Sequence, residues 1–252
     1  MKTNELHARI QQKPGDGGPT YKETDLTRFP VEPFNTFSSL LFLFLVVYWA
    51  WKTKLNVYMH PLTTVCMPIL LLGCIGGTLY HATRGSSLWL QLDCIPILVL
   101  ALSSGIYLWR RLTKNYLLTF ILTMFPLLIS FFMLRHIQIA DKFTVSILYS
   151  VLAVNILIPA VLHCVMKNRG AWLTLLLAFL AFGIAVAFRQ ADRLNTFTFM
   201  TAGTHFLWHI FGGVSSFFMI KYIYLAENIE FGEKKQSKKS RPHTNVNERV
   251  SS

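Results

Sequence analysis

The strongest constraint on this chain is a row of seven apolar stretches, at about 34–52, 60–82, 87–109, 116–134, 143–166, 171–188 and 200–224. Each is close to the ~20 residues that carry a helix once across the hydrocarbon core of a bilayer. Charges collect in the breaks: WKTK, TRGSS, RRLTKN, RHIQIADK, MKNRG and RQADRLN. The breaks are short, so consecutive helices run antiparallel as neighbours. Pro68, Pro96, Pro126 and Pro159 fall inside spans, where proline kinks are tolerated. The expected fold is all-α, a multi-pass seven-transmembrane helix bundle. It divides into a polar, partly flexible segment 1–31, a membrane domain 32–226 and a basic, disordered tail 227–252.

Composition agrees. Of 252 residues 53% are hydrophobic and 14% charged, with a formal charge of +12. In a membrane protein such an excess marks cytoplasmic flanks, and no aromatic-and-basic RNA motif accompanies it, so nucleic acid is set aside. The first 31 residues lack the apolar centre of a signal peptide. Cys66, Cys74, Cys94 and Cys164 all lie in apolar segments without metal-type spacing and are expected as small core residues. Breaks after odd-numbered spans carry seven Lys and Arg against five after even-numbered ones, and the tail EKKQSKKSR adds to the first side. The rule that basic loops stay in the cytoplasm then puts the C-terminus there and the N-terminus on the lumenal or extracellular side.

Polar groups inside spans are costly and usually face the bundle interior. In an up-down bundle, the end of an even span and the start of an odd span share one membrane face. His81 ends the second span, Asp93 begins the third, His205 and His209 begin the seventh, and Glu32, Asn35, Ser38 and Ser39 begin the first. All therefore lie at similar depth, whichever way the chain inserts. His205 and His209, four residues apart, stack on one helix face with about 5–6 Å between them, so two imidazoles can share one cation. His81 supplies a third nitrogen, and three protein ligands with an open position is the arrangement of a catalytic zinc site. The pair lacks the intervening Glu of H-E-x-x-H, which leaves Asp93 as the best-placed base. An i, i+4 pair cannot give both axial ligands to one haem. His163 is expected to pack by hydrogen bonding, Asn155 to bridge helices, His60 and His136 to sit at interfaces, and Arg84 and Arg193 to be loop charges.

Three segments, EPFNTFSSL (32–40), GTLYHATRG…LQLDCIP (77–96) and GTHFLWHIFGG (203–213), resemble the alkaline ceramidases. That family belongs to a superfamily of seven-helix membrane hydrolases that also includes adiponectin-receptor-like proteins. The interval from His81 to Asp93 is short, as in the ceramidases. The resemblance implies a zinc ion held by His81, His205 and His209, with Asp93 beside the water on it. It implies a lipid substrate, ceramide or a related N-acyl lipid, cut at the amide to an amine base and a fatty acid. Two departures stand out. The family's serine four residues before the first zinc histidine is Gly77 here, which leaves its role either to Thr78, on a similar face, or to the metal alone. Animal members carry an acidic, tryptophan-containing calcium motif before the first helix. YKETDLTRFPVEP lacks it, though Glu32 matches one calcium ligand and Asp25 offers another. The competing expectations are a seven-helix receptor or binding scaffold with structural zinc, and an ester-cleaving lipid hydrolase of the same superfamily.

Overall fold

A computed structural model describes residues 14–136 and 141–239. Seven of its helical segments are long and apolar enough to cross a membrane, and among the described residues there is no strand. The chain is an all-α seven-helix bundle. In order, the helices are α1 (Pro33–Ser39), α2 (Leu41–Thr53), α3 (Pro61–Thr83), α4 (Ser87–Thr113), α5 (Tyr116–His136), α6 (Asp141–Lys167), α7 (Trp172–Arg193) and α8 (His205–Lys239). The first span is thus two consecutive helices, α1 and α2. Ser38 and Ser39 both donate their hydroxyls to the Asn35 carbonyl, at 3.1 and 2.9 Å, and serine back-bonding of this kind bends helices. The next turn tightens, with the Leu40 N–H on the Phe37 carbonyl at 3.2 Å.

The outer surface is apolar: Phe44, Val47, Phe120, Phe125 and Leu180 are all exposed, as lipid-facing positions must be. The interior is filled by aromatic and small side chains. Trp49, Tyr80, Leu108 and Tyr222 are almost fully buried, with Ala160 and Ala185 where helices approach closely. His163 donates or accepts at the Tyr222 hydroxyl, 2.8 Å away, and the Asn155 amide donates across to the Thr123 carbonyl at 2.8 Å. Both take the packing roles expected of them. Cys66, Cys74 and Cys164 are buried, whereas Cys94 is exposed.

The last span differs most from its expected limits. It begins at His205 rather than 200, because Gly203 takes a positive φ of 71° and Asp192 at the end of α7 accepts the Thr204 N–H at 2.7 Å. It then runs past 226 to Lys239, so residues 227–239 are helical where a disordered tail was expected. Charge contacts explain the extension. Glu227, fully buried, accepts the N–H groups of Leu62 and Thr63 and the Thr63 hydroxyl at 2.7, 3.2 and 2.6 Å, satisfying donors that the start of α3 leaves free. His60 lies 3.5 Å from the same carboxylate and stacks on Tyr224, so it is a buried partner rather than an interfacial residue. Glu230 pairs with Arg111 and, at 2.8 Å, with Lys234 one turn on. The rest of the expected tail, 240–252, lies outside the described residues, as do 1–13 and the IQIA part of the fourth break.

Residues 14–31 are not a loose leader. They fold over the end of the bundle where α3 stops and α8 starts. The N–H groups of Val31 and Glu32 bond to the carbonyls of Ala82 and His81 at 2.9 and 3.1 Å, and Asp16, Tyr21 and Glu23 are buried. Glu23 accepts the N–H groups of Phe34 and Asn35 at 2.9 and 2.7 Å, which fixes the start of α1.

Candidate metal centre

His81, His205 and His209 come together as the spacing and parity of the spans require. One nitrogen from each lies within 4.8 Å of the others, and all three residues are buried. The ring centroids are 5.4 Å apart for His81 and His205, 4.9 Å for His81 and His209, and 4.8 Å for His205 and His209.

Each imidazole is held from outside the cluster. His81 Nδ1–H donates to Glu32 Oε2 at 2.5 Å, which leaves Nε2 carrying the lone pair. That Nε2 is buried and has no hydrogen-bond partner. His209 Nδ1 lies 2.8 Å from the Ser38 hydroxyl, 3.2 Å from that of Ser39 and 3.2 Å from the Asn35 carbonyl. Both serine protons are already committed to that carbonyl, so Nδ1 is the donor and Nε2 is again the free base. His205 stacks on Tyr21 with centroids 4.0 Å apart. An orphaned buried nitrogen, fixed by a carboxylate on its far side, is the arrangement that orients histidine toward a metal. The donor set fits a zinc ion. A triangle of the observed maximum edge has its centre roughly 2.8 Å from each corner, against about 2.1 Å for a Zn–N bond, so closure takes shifts under an ångström.

Glu32 has no exposed surface. Besides His81 it accepts from Thr24 Oγ1 at 2.5 Å, from Asn35 Nδ2 at 3.3 Å and from Arg84 Nη1. Both oxygens are therefore occupied, and the cation beside them is the guanidinium of Arg84. Glu32, which the resemblance matched to a calcium ligand, here bonds to His81, Thr24, Asn35 and Arg84. Asp25, the second calcium candidate, is exposed at its tip and binds the N–H and hydroxyl of Thr27 at 2.9 and 2.6 Å. Arg84 is itself buried and not a loop charge. It closes α3 with a left-handed φ of 48°, which swings its side chain under the bundle. There it donates to Asp16 Oδ2 and Oδ1 at 2.6 and 3.1 Å and to the Pro19 carbonyl at 2.9 Å, above the Tyr80 ring. Burial would raise the carboxyls of Asp16 and Glu32. The bonds from Arg84, and from His81 to Glu32, outweigh it and hold both below their ordinary values.

Asp93 reaches the same place from α4. With Ser39 and His209 it lines one end of a cavity of about 190 Å³, whose walls then run down the bundle through Cys66, Leu100 and Ile223. Along α8 the wall spans His209 to Ile223, about 21 Å at 1.5 Å per residue. Gly77 explains how Asp93 fits. A Cβ at that position would stand 2.5 Å from Asp93 Oδ1 and 3.4 Å from Ser39 Oγ, so the missing side chain is the space the carboxylate occupies. Thr78 is different. Its hydroxyl is buried without a hydrogen-bond partner, and it is not among the residues lining the cavity.

The sequence pointed to His81, Asp93, His205, His209 and the cluster at the start of α1. It did not reveal Arg84, Asp16 or Tyr21. Charges in breaks look alike on paper, and only the left-handed turn at Arg84 sends that one inward. No family model and no curated protein matches the chain.

Proposed function

We propose that this protein is a zinc-dependent intramembrane lipid amide hydrolase, ceramidase-like, cutting ceramide or a related N-acyl lipid to a free amine base and a fatty acid. One observation carries the reading. Three buried imidazoles bring one nitrogen each within 4.8 Å of the others, and one of them, His209, lines an apolar cavity together with one carboxylate, Asp93.

A zinc ion held there supplies Lewis acidity for a carbonyl and lowers the pKa of a water to about 7. The chain's own groups do the rest. Glu32, Ser38 and Ser39 keep the imidazole bases aimed inward. Asp93 orients the attacking water, takes its proton and returns a proton to the amide nitrogen, which is a poor leaving group until protonated. The apolar cavity holds the acyl chain, and an apolar cavity of this kind takes an apolar guest in preference to water. By the charge of the breaks, the site faces the lumenal or extracellular side and the C-terminus the cytoplasm.

The absence of a hydroxyl at Gly77 favours one other reading, a seven-helix receptor or scaffold in which the zinc is structural. Mass spectrometry of lipids released from a ceramide panel by purified protein separates the two. The hydrolase reading expects sphingoid base and fatty acid in equal amounts, abolished by a chelator and restored by zinc. Metal-loaded protein that releases no amine from any amide lipid contradicts it.

A further inference from the structure

Arg189 is a buried cation the proposed reaction does not use. It lies in the last turns of α7, inside the span Arg169–Arg193, and is only 8% exposed. No carboxylate pairs with it among the described residues. Among the described residues its one hydrogen bond is long, 3.4 Å from Nη1 to the Ser146 hydroxyl, and that hydroxyl also donates to Gln190 at 2.8 Å. A guanidinium carries five N–H donors, so among the described residues most of its capacity is unspent. Isolated charges inside a membrane domain mark ligand or ion sites more often than packing. An arginine this close to a helix end can reach outward to the interface, yet this one is folded inward.

Two of its neighbours line the cavity, although Arg189 itself does not. The guanidinium carbon lies 5.4 Å from the centroid of Tyr149 and 5.7 Å from that of Trp208, and both rings line the cavity that Asp93 and His209 also line. Its charge bears on Asp93, His205 and His209 alike. The Thr204 hydroxyl, one residue before His205, donates to the Phe188 carbonyl at 2.8 Å, so Arg189 follows directly on a residue bonded to the start of α8. A positive fork, resting against two aromatic rings that pack on each other with centroids 5.1 Å apart beside an apolar cavity, matches the planar oxyanion of a carboxylate or phosphate.

We propose that Arg189 is an anion-binding position beside the metal cluster, taking the oxyanion of a lipid whose chain fills the cavity. It shares the cavity with the hydrolase reading but does not depend on the reaction. Two sources carry that chemistry: the fatty acid left after cleavage, and a phosphorylated head group.

The test is equilibrium binding of palmitic acid, hexadecyl phosphate and hexadecanol to the purified full chain, stripped of metal so that only protein groups act. Wild type is expected to bind at least one of the anions about tenfold or more tighter than the alcohol. Arg189→Gln should lose that preference with alcohol affinity unchanged, and Arg189→Lys should keep part of it, since lysine retains the charge but not the fork. A preference for the carboxylate assigns the position to the product, and one for the phosphate to a head group. Equal affinity for all three in wild type overturns the proposal, whatever the variants do. So does a preference that survives in Arg189→Gln. Neither result touches the hydrolase reading, which is judged by amine release.

Discussion

Replacing Asp93 by asparagine is expected to lower amide hydrolysis by about 10²–10⁴-fold and to leave metal content unchanged. The substitution keeps the size of the side chain and removes its ability to take and return a proton. Asp93 is not one of the clustered metal-type nitrogens, so metal and reaction should separate cleanly. Position matters as much as charge. The carboxylate sits where a Cβ on residue 77 would be, so Gly77→Ala must push it aside. A misplacement near 1 Å costs on the order of 10²-fold, and that variant should lose activity with its carboxylate intact. Full turnover in Asp93→Asn would remove this residue from the chemistry and leave the metal without a protein base.

Glu32→Ala should have the largest effect on stability. The carboxylate touches His81, Arg84, Thr24 and Asn35, with no solvent to replace it. Its loss strands Arg84 with Asp16 as its sole carboxylate and leaves His81 Nδ1–H without an acceptor. Breaking a buried ion pair by removing one member costs about 3–5 kcal/mol, and removing the partner that orients a metal histidine weakens metal binding by about 10–100-fold. Thermal unfolding in detergent and competition for zinc against a chelator measure the two. Glu32→Gln, which keeps an acceptor, should fall between wild type and alanine in both. A melting temperature and zinc affinity that match wild type in Glu32→Ala would mean that residues 14–31 and the metal cluster are held by something else.

These two residues also show where sequence was enough. Asp93 was found by parity: helices of near-equal length in an up-down bundle put chain ends at fixed depths, and apolar run length alone marks those ends. The same reasoning placed Glu32 beside the histidines. What it did not show was the contact between Glu32 and Arg84, because Arg84 looks like any loop arginine until the backbone at that residue turns left-handed. Glu227 was missed for a related reason. It falls where the apolar run fades, so the helix seemed to end just before it. Its partners at Leu62 and Thr63 are about 165 positions away in the chain, a pairing with no local signature. Arg189 was read as part of a charged break. Apolar runs show how far a span extends, but not which way a charge at its end is turned.

The most direct test of the account is zinc content by elemental analysis of the purified chain and of His81→Ala and His209→Ala, all exposed to the same metal. The account predicts about one zinc per wild-type chain and loss of it in both variants, because ligands from two distant helices hold a single ion. A wild-type chain that binds no zinc, or variants that keep it in full, would contradict a shared metal centre.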